Sequence, residues 1–209
     1  MPPDKERIIH DNDWMNPIQQ VRAEIYEFTK RLYELNPRHT MIEIGYGRYG
    51  GTRYLWQLLF DRVVTIDIDP DVLNRIHHPQ RPQDATIISS SLSATPKLEK
   101  YLKGDVADAM FIDGGHSYDL VKAELLLYYP FVRKGGIIGF HDTMQTQWLG
   151  DFADDLAAGK IDNIKHDVVT FDLAHTACGY GKPDGSPYGI PETKVGLSYI
   201  VKRDPVKFF

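Results

Sequence analysis

A glycine-rich turn between a buried strand and a helix constrains this chain more than any other feature. Glu43-Ile44-Gly45-Tyr46-Gly47-Arg48-Tyr49-Gly50-Gly51-Thr52 closes a short apolar run over residues 41–44 and opens a helical pattern over residues 52–60. The glycines let the backbone turn tightly and let a ligand approach its N–H groups. A second strand over residues 63–66 ends at Asp67, where a carboxylate accepts hydrogen bonds from both hydroxyls of a ribose. Gly45, Gly47 and Asp67, with neighbouring Tyr46 and Ile68, are therefore candidate cofactor contacts. Such a loop serves NAD, FAD and S-adenosylmethionine alike. Glu43 favours the last, because a carboxylate repels a pyrophosphate and attracts a sulfonium and an ammonium. The plain alternative is that Glu43 caps the loop or pairs with Arg48 or Arg53.

Around this turn the chain alternates strands and helices. Ile18, Val21, Ile25, Phe28, Leu32 and Leu35 form one helical face ended by Asn36-Pro37. Beyond residue 67 the pattern predicts a short helix over 71–76, a strand over 85–88, a helix around 98–102 and a strand over 107–112. A helix over 118–129 stops at Pro130, and Gly135-Gly136 turns into a fifth strand over 137–140. This order implies βαβ units and a parallel α/β sheet. Residues 167–171 and 195–201 read as strands with no helix between them, so they are expected to run antiparallel. Residues 1–36 read as an N-terminal arm and helix, with His10, Asp11 and Trp14 a candidate lid, and residues 37–209 as the main domain.

Composition narrows the classes. The 209 residues carry a formal charge of −5, which argues against a nucleic-acid partner. No window approaches the roughly 18 uninterrupted apolar residues of a membrane helix, so no membrane partner is expected. The charged first residues do not read as a signal peptide, and the lone Cys178 allows no intrachain disulfide, which together suggest the cytoplasm.

Two further segments fall at strand ends, where open α/β sheets bind ligands. Asp113-Gly114-Gly115-His116-Ser117-Tyr118 follows the fourth strand, and His141-Asp142-Thr143 the fifth. Two carboxylates and two imidazoles would share one crevice. Each has a bland alternative: Asp113 and His116 at a helix start, His141 bonding a carbonyl, Asp142 forming a turn.

Together with Glu43-Ile44-Gly45, Asp67-Ile68-Asp69 and Lys134-Gly135-Gly136-Ile137-Ile138, these segments resemble metal-dependent class I O-methyltransferases of the macrolide-sugar and cephalosporin hydroxylase-like group. The resemblance spans about residues 41–143. It implies a Rossmann-like seven-stranded sheet, mostly parallel with a reversed last strand and helices on both faces. It implies S-adenosylmethionine at Gly45, Gly47 and Asp67, with Glu43, Tyr46, Ile68, Ser90 and Asp113 alongside. It implies a divalent metal, usually magnesium, at Asp113 and Asp142, and a general base at His116. This chain departs from the group at His141, where relatives often carry an acid; an imidazole ligand there suits manganese, iron or zinc better than magnesium. It also carries serines over residues 89–91 where many methyltransferases place an acid near the adenine.

The function expected is methyl transfer to a hydroxyl of a small molecule such as a sugar, polyketide or phenol. A nicotinamide-dependent oxidoreductase and a non-catalytic adenosyl-binding protein are the competing readings. Residues 144–152, with Trp148, are a candidate pocket wall or a surface helix. Within the Gly- and Pro-rich interval 172–194, residues 174–191 are a candidate acceptor loop or subunit contact in a homo-oligomer, with plain disorder as the alternative.

Overall fold

A computed structural model describes residues 20, 22–48, 50–75, 81–161, 164, 166–171 and 196–203. The elements are α1 (Arg22–Glu34), β1 (Thr40–Ile44), α2 (Gly51–Leu59), β2 (Arg62–Asp67), β3 (Ala85–Ile88), α3 (Thr95–Leu102), β4 (Ala107–Ile112), α4 (Tyr118–Tyr128), β5 (Val132–His141), α5 (Gln147–Ala157), β6 (His166–Phe171) and β7 (Leu197–Lys202). They build a seven-stranded sheet in the order β3-β2-β1-β4-β5-β7-β6. Every strand is parallel to its neighbours except β7, which runs antiparallel to both β5 and β6.

The central strands β1, β2, β4 and β5 are buried on both faces, and the pleat sorts their side chains. Ile42 and Ile44 of β1, Val64 and Ile66 of β2, Met110 and Ile112 of β4, and Ile138 and Phe140 of β5 face α3, α4 and α5. The intervening Met41, Val63, Ala109, Phe111 and Ile137 face α1 and α2. Period-two alternation within largely apolar runs is what a sheet with helices on both faces requires. On the second face Phe28 anchors α1, with ring centroids 5.6 Å from Phe111, 6.0 Å from Trp56 and 5.9 Å from Tyr199. Each such pair contributes about 0.5–1.5 kcal/mol beyond its buried area. Phe28 fits because β5 carries Gly139 beneath it: a Cβ there would lie 2.5 Å from the ring.

Several boundaries differ from the sequence expectation. The short helix expected over 71–76 is a 3₁₀ helix over residues 70–75. The fifth strand starts at Val132, before the two glycines. Its register jumps from Ala107↔Val132 to Ala109↔Ile137, so Gly135 and Gly136 form a bulge within the strand. A Cβ on Gly136 would meet Val132 and two backbone oxygens within 2.8 Å, which is why the bulge needs glycine. The stretch around Trp148 is the helix α5, with Trp148 itself exposed. The proposed lid at residues 10–14 and the loop 172–194 lie outside the described residues. Among the described residues no helix is long and apolar enough to cross a membrane.

The strand order reverses between β1 and β4, whose crossovers leave on opposite faces. That is the switch point at which open α/β sheets bind ligands.

Candidate active site

At this switch point a cleft of about 670 Å³ opens beyond the carboxyl ends of β1, β2, β4 and β5. Gly45, Gly47, Asp67, Ile68, Ser90, Asp113, His116, His141 and Asp142 all line it. Eight strand-end residues and one helix-start residue, far apart in sequence, thus converge on one cavity.

Its first end is built by β1 and β2. The glycine turn leaves β1 at Gly45 with φ +90, a conformation that strains any other residue. A Cβ there would lie 2.1 Å from the Asp113 carbonyl oxygen, so β1 and β4 approach closely only through glycine. The Asp67 carboxylate is fixed by two backbone amides: the Tyr46 N–H donates to Oδ2 at 2.7 Å and the Asp69 N–H to Oδ1 at 2.8 Å. Each oxygen retains a lone pair for a further donor.

The other end is built by β4 and β5. His141 is buried, with Nδ1 3.0 Å from Asp113 Oδ1 and 3.2 Å from Asp142 Oδ1. Burial opposes its protonation, yet the Asp113 and Asp142 carboxylates outweigh burial and raise its pKa well above the ordinary value. Asp142 is buried too, and its pKa falls well below the usual carboxylate range because His116 and His141 overcome the burial that would raise it. Its backbone has φ +60, uncommon for a residue other than glycine. His116 Nε2 sits 2.7 Å from Asp142 Oδ2, and that hydrogen bond raises the His116 pKa. The ring is about half exposed at the cleft mouth.

Asp113, His141 and Asp142 each offer one ligand atom, all within 4.8 Å of one another. Two carboxylates and an imidazole form a donor set suited to a divalent cation. His141 Nδ1 faces both carboxylates, the position in which a metal would replace its proton. The donor set therefore fits a divalent metal.

Two residues expected at the cofactor lie off the cleft wall. Glu43 points to the opposite side of β1 from Ile44, where it is fully buried and accepts a hydrogen bond from Thr65 Oγ1 at 2.8 Å. Burial lifts its pKa to about 7, against the pull of Thr65 and the Arg53 guanidinium. The plain alternative for Glu43 named Arg48 or Arg53; the hydrogen-bond donor is Thr65, with the Arg53 charge acting on it as well. The Tyr46 ring is also buried, folded over Gly50, and only its backbone serves Asp67. Of the stretch 144–152, Gln145 alone lines the cleft.

Three polar residues at the site gave no sequence motif. Gln20 donates to Asp113 Oδ2 at 2.7 Å. Glu24, on α1, is fully buried, and burial raises its pKa to about 7, although the His141 imidazole and the Gly196 backbone favour its charge. Glu124, on α4, lines the cleft and accepts from Ser91 Oγ at 2.6 Å. The available signal was a carboxylate inside an apolar helical stripe: Glu24 beside Ile25 and Phe28, Glu124 between Val121 and Leu125.

Residues 6–181 match the family model of the rhamnosyl O-methyltransferase/CmcI family. The chain belongs to this family. Its fold is that of class I methyltransferases. MycE, from the mycinamycin biosynthetic pathway and solved with Mg, S-adenosylhomocysteine and mycinamycin VI, is similar with a TM-score of 0.64 at 15% identity, over 96% of this chain. The chain spans 55% of MycE, about half its length. An O-methyltransferase of Bacillus cereus solved with S-adenosylhomocysteine matches with a TM-score of 0.56 at 17% identity, covering 97% of this chain and 93% of that one. TomG of Streptomyces achromogenes, solved with S-adenosylmethionine, matches with a TM-score of 0.56 at 14% identity, covering 96% and 88%. In sequence, protein R132 of Acanthamoeba polyphaga mimivirus is 36% identical over 69 residues, 30% of this chain and 31% of that protein.

Proposed function

We propose that this chain transfers a methyl group from S-adenosylmethionine to a hydroxyl of a small molecule, assisted by a divalent metal. One observation carries the reading: a single cleft places the amide-anchored Asp67 at one end and the Asp113–His141–Asp142 cluster, with His116 beside it, at the other. Family membership and the donor- and Mg-bound structural neighbours support it.

Asp67 accepts the ribose hydroxyls, and the turn at Gly45 and Gly47 admits the donor's amino-acid tail against bare backbone. Asp113, His141 and Asp142 would hold the metal, magnesium or manganese, which when bound lowers the pKa of a coordinated hydroxyl and orients it. His116 accepts the proton of the acceptor hydroxyl, and the Asp142 carboxylate steadies the imidazolium that forms. The new C–O bond forms as the C–S bond breaks, leaving S-adenosylhomocysteine and the methyl ether. A positioned base contributes about 10²–10⁴-fold, and holding the two reactants in line supplies the rest. The acceptor class is a hydroxylated small molecule such as a sugar, polyketide or phenol. The single cysteine fits a reducing compartment such as the cytoplasm.

Calorimetric titration tests the reading. The protein is expected to bind S-adenosylhomocysteine and manganese and to ignore NADH. Binding of NADH in place of the adenosyl ligand would overturn it in favour of an oxidoreductase. Binding of the adenosyl ligand with no manganese site would remove the metal from the reading, and binding without transfer to any hydroxyl would leave a non-catalytic adenosyl-binding protein.

A further inference from the structure

We propose that Gln20 is a positioning residue of the metal centre: its side-chain amide holds Asp113 Oδ2, leaves Oδ1 as the one oxygen offered to the ion, and so favours a small six-coordinate cation such as manganese over calcium. The inference rests on the metal reading above and assigns its ion selectivity to a residue outside the ligand set.

Gln20 Nε2 donates to Asp113 Oδ2 at 2.7 Å, across 93 residues of sequence. Gln20 is 1% exposed, so the bond is shielded from solvent. Chemistry decides which end of the amide faces Asp113, since an ionised carboxylate only accepts. A hydrogen bond to a charged acceptor is stronger than one between neutral groups.

The two oxygens of Asp113 therefore have separate partners. Oδ1 lies 3.0 Å from His141 Nδ1, and Asp142 Oδ1 lies 3.2 Å from the same nitrogen. Asp142 repeats the division, with its Oδ2 2.7 Å from His116 Nε2. A carboxylate held in this way meets a metal through one oxygen. Calcium takes about six to eight oxygen ligands and often both oxygens of a carboxylate. Magnesium and manganese take near-octahedral sites, in which single-oxygen carboxylates and waters suffice.

The fold explains how so remote a residue arrives there. Gln20 precedes α1, and Phe28 of that helix packs on Phe111 of β4 with ring centroids 5.6 Å apart. Phe111 lies two residues before Asp113, and its ring is 6.3 Å from that of His141. Docking of α1 on Phe111 thus delivers Gln20 to the end of β4. Ile25, Phe28 and Leu32 make the contact face of the helix apolar, but toward the cluster it turns polar. Gln20 meets Asp113, and the buried Glu24 lies close enough to His141 for the imidazole to favour its charge. Burying an amide and a carboxyl is costly, so docking alone would select apolar side chains at both places.

The test is titration of the wild type and Gln20→Met with manganese and with calcium. Methionine keeps the length of the side chain and removes the donor. Calorimetry with S-adenosylhomocysteine and a thermal melt verify that the variant is folded. Gln20→Met is expected to weaken manganese about tenfold to a hundredfold. Calcium should weaken less, so that the ratio of the two affinities falls. A merely structural Gln20 would weaken both ions alike. An unchanged ratio in the folded variant would therefore overturn the proposal and leave the metal reading standing. Infrared difference spectra of manganese binding test the wild type without any substitution. The wide splitting of carboxylate stretches that marks single-oxygen ligation is expected, and the narrow splitting of two-oxygen ligation would overturn the proposal. A wild type that binds no manganese would overturn both readings.

Discussion

His116 and Asp142 meet across the cleft mouth, imidazole Nε2 to carboxylate Oδ2 at 2.7 Å. One residue comes from the start of the segment before α4, the other from the end of β5. The contact orients the ring and stabilises its protonated form. His116→Ala is expected to lower methyl transfer about 10²–10³-fold while leaving S-adenosylhomocysteine affinity within a few-fold of wild type. Single-turnover transfer beside calorimetry separates the two. Near-normal turnover would reject His116 as the base.

Asp113 and Asp142 contribute the hard oxygens of the cluster. Asp113→Asn or Asp142→Asn is expected to weaken manganese at least tenfold, read by loss of the bound-ion spectrum in paramagnetic resonance. A chelator should abolish transfer by the wild type, and added manganese should restore it. Transfer indifferent to chelation would remove the metal from the account.

Gly45 joins the two ends of the cleft. A Cβ at φ +90 and 2.1 Å from the Asp113 carbonyl cannot be accommodated without moving β1 from β4. Gly45→Ala is expected to cost roughly 1–3 kcal/mol from backbone strain alone. That corresponds to about 2–4 °C of melting temperature per kcal/mol for a chain of this size. It should also weaken both adenosyl ligand and manganese, since it displaces the loop and Asp113 together. A variant that melts normally and binds both would show the approach to be dispensable.

How far the sequence carried differs between the sheet and the site. The alternation of apolar runs with helical stripes, and the helix-free interval before the last strand, made the parallel sheet with its reversed strand legible. Turn glycines were less informative: Gly135 and Gly136 read as a turn before the strand, whereas the chain stays in the sheet through them as a bulge, beside which Arg133 Nε donates to Asp108 Oδ1 at 2.6 Å, a contact with no local signature. Strand-end acids and histidines were legible because the fold sends every such position to one crevice. Glu43 read as a cofactor contact from its place beside the glycines, whereas the pleat turns it away from Ile44 into Thr65. Glu24 and Glu124 reach the site from helices and Gln20 from the segment just before α1, and their place depends on how those helices pack.

Glu43 also makes stability depend on pH. Burial raises its folded pKa from 4.5 to about 7. A carboxyl with a raised folded pKa contributes fully below about pH 4.5, and that contribution is lost as pH climbs through about 7. Glu43→Gln cannot ionise. Its melting temperature is therefore expected to gain on the wild type by several degrees between pH 4.5 and pH 8, with most of the change before pH 7. Parallel melting curves across that range would show that Glu43 keeps an ordinary pKa.

The central claim is that methyl donor and divalent ion lie side by side in one cleft. The most direct measurement is the relaxation of a ¹³C-labelled S-adenosylmethionine methyl group by manganese bound to the protein. The account predicts strong, distance-dependent broadening of the methyl signal that disappears in Asp113→Asn and Asp142→Asn. A bound donor whose methyl signal is untouched by bound manganese, or broadened equally in those variants, would contradict it.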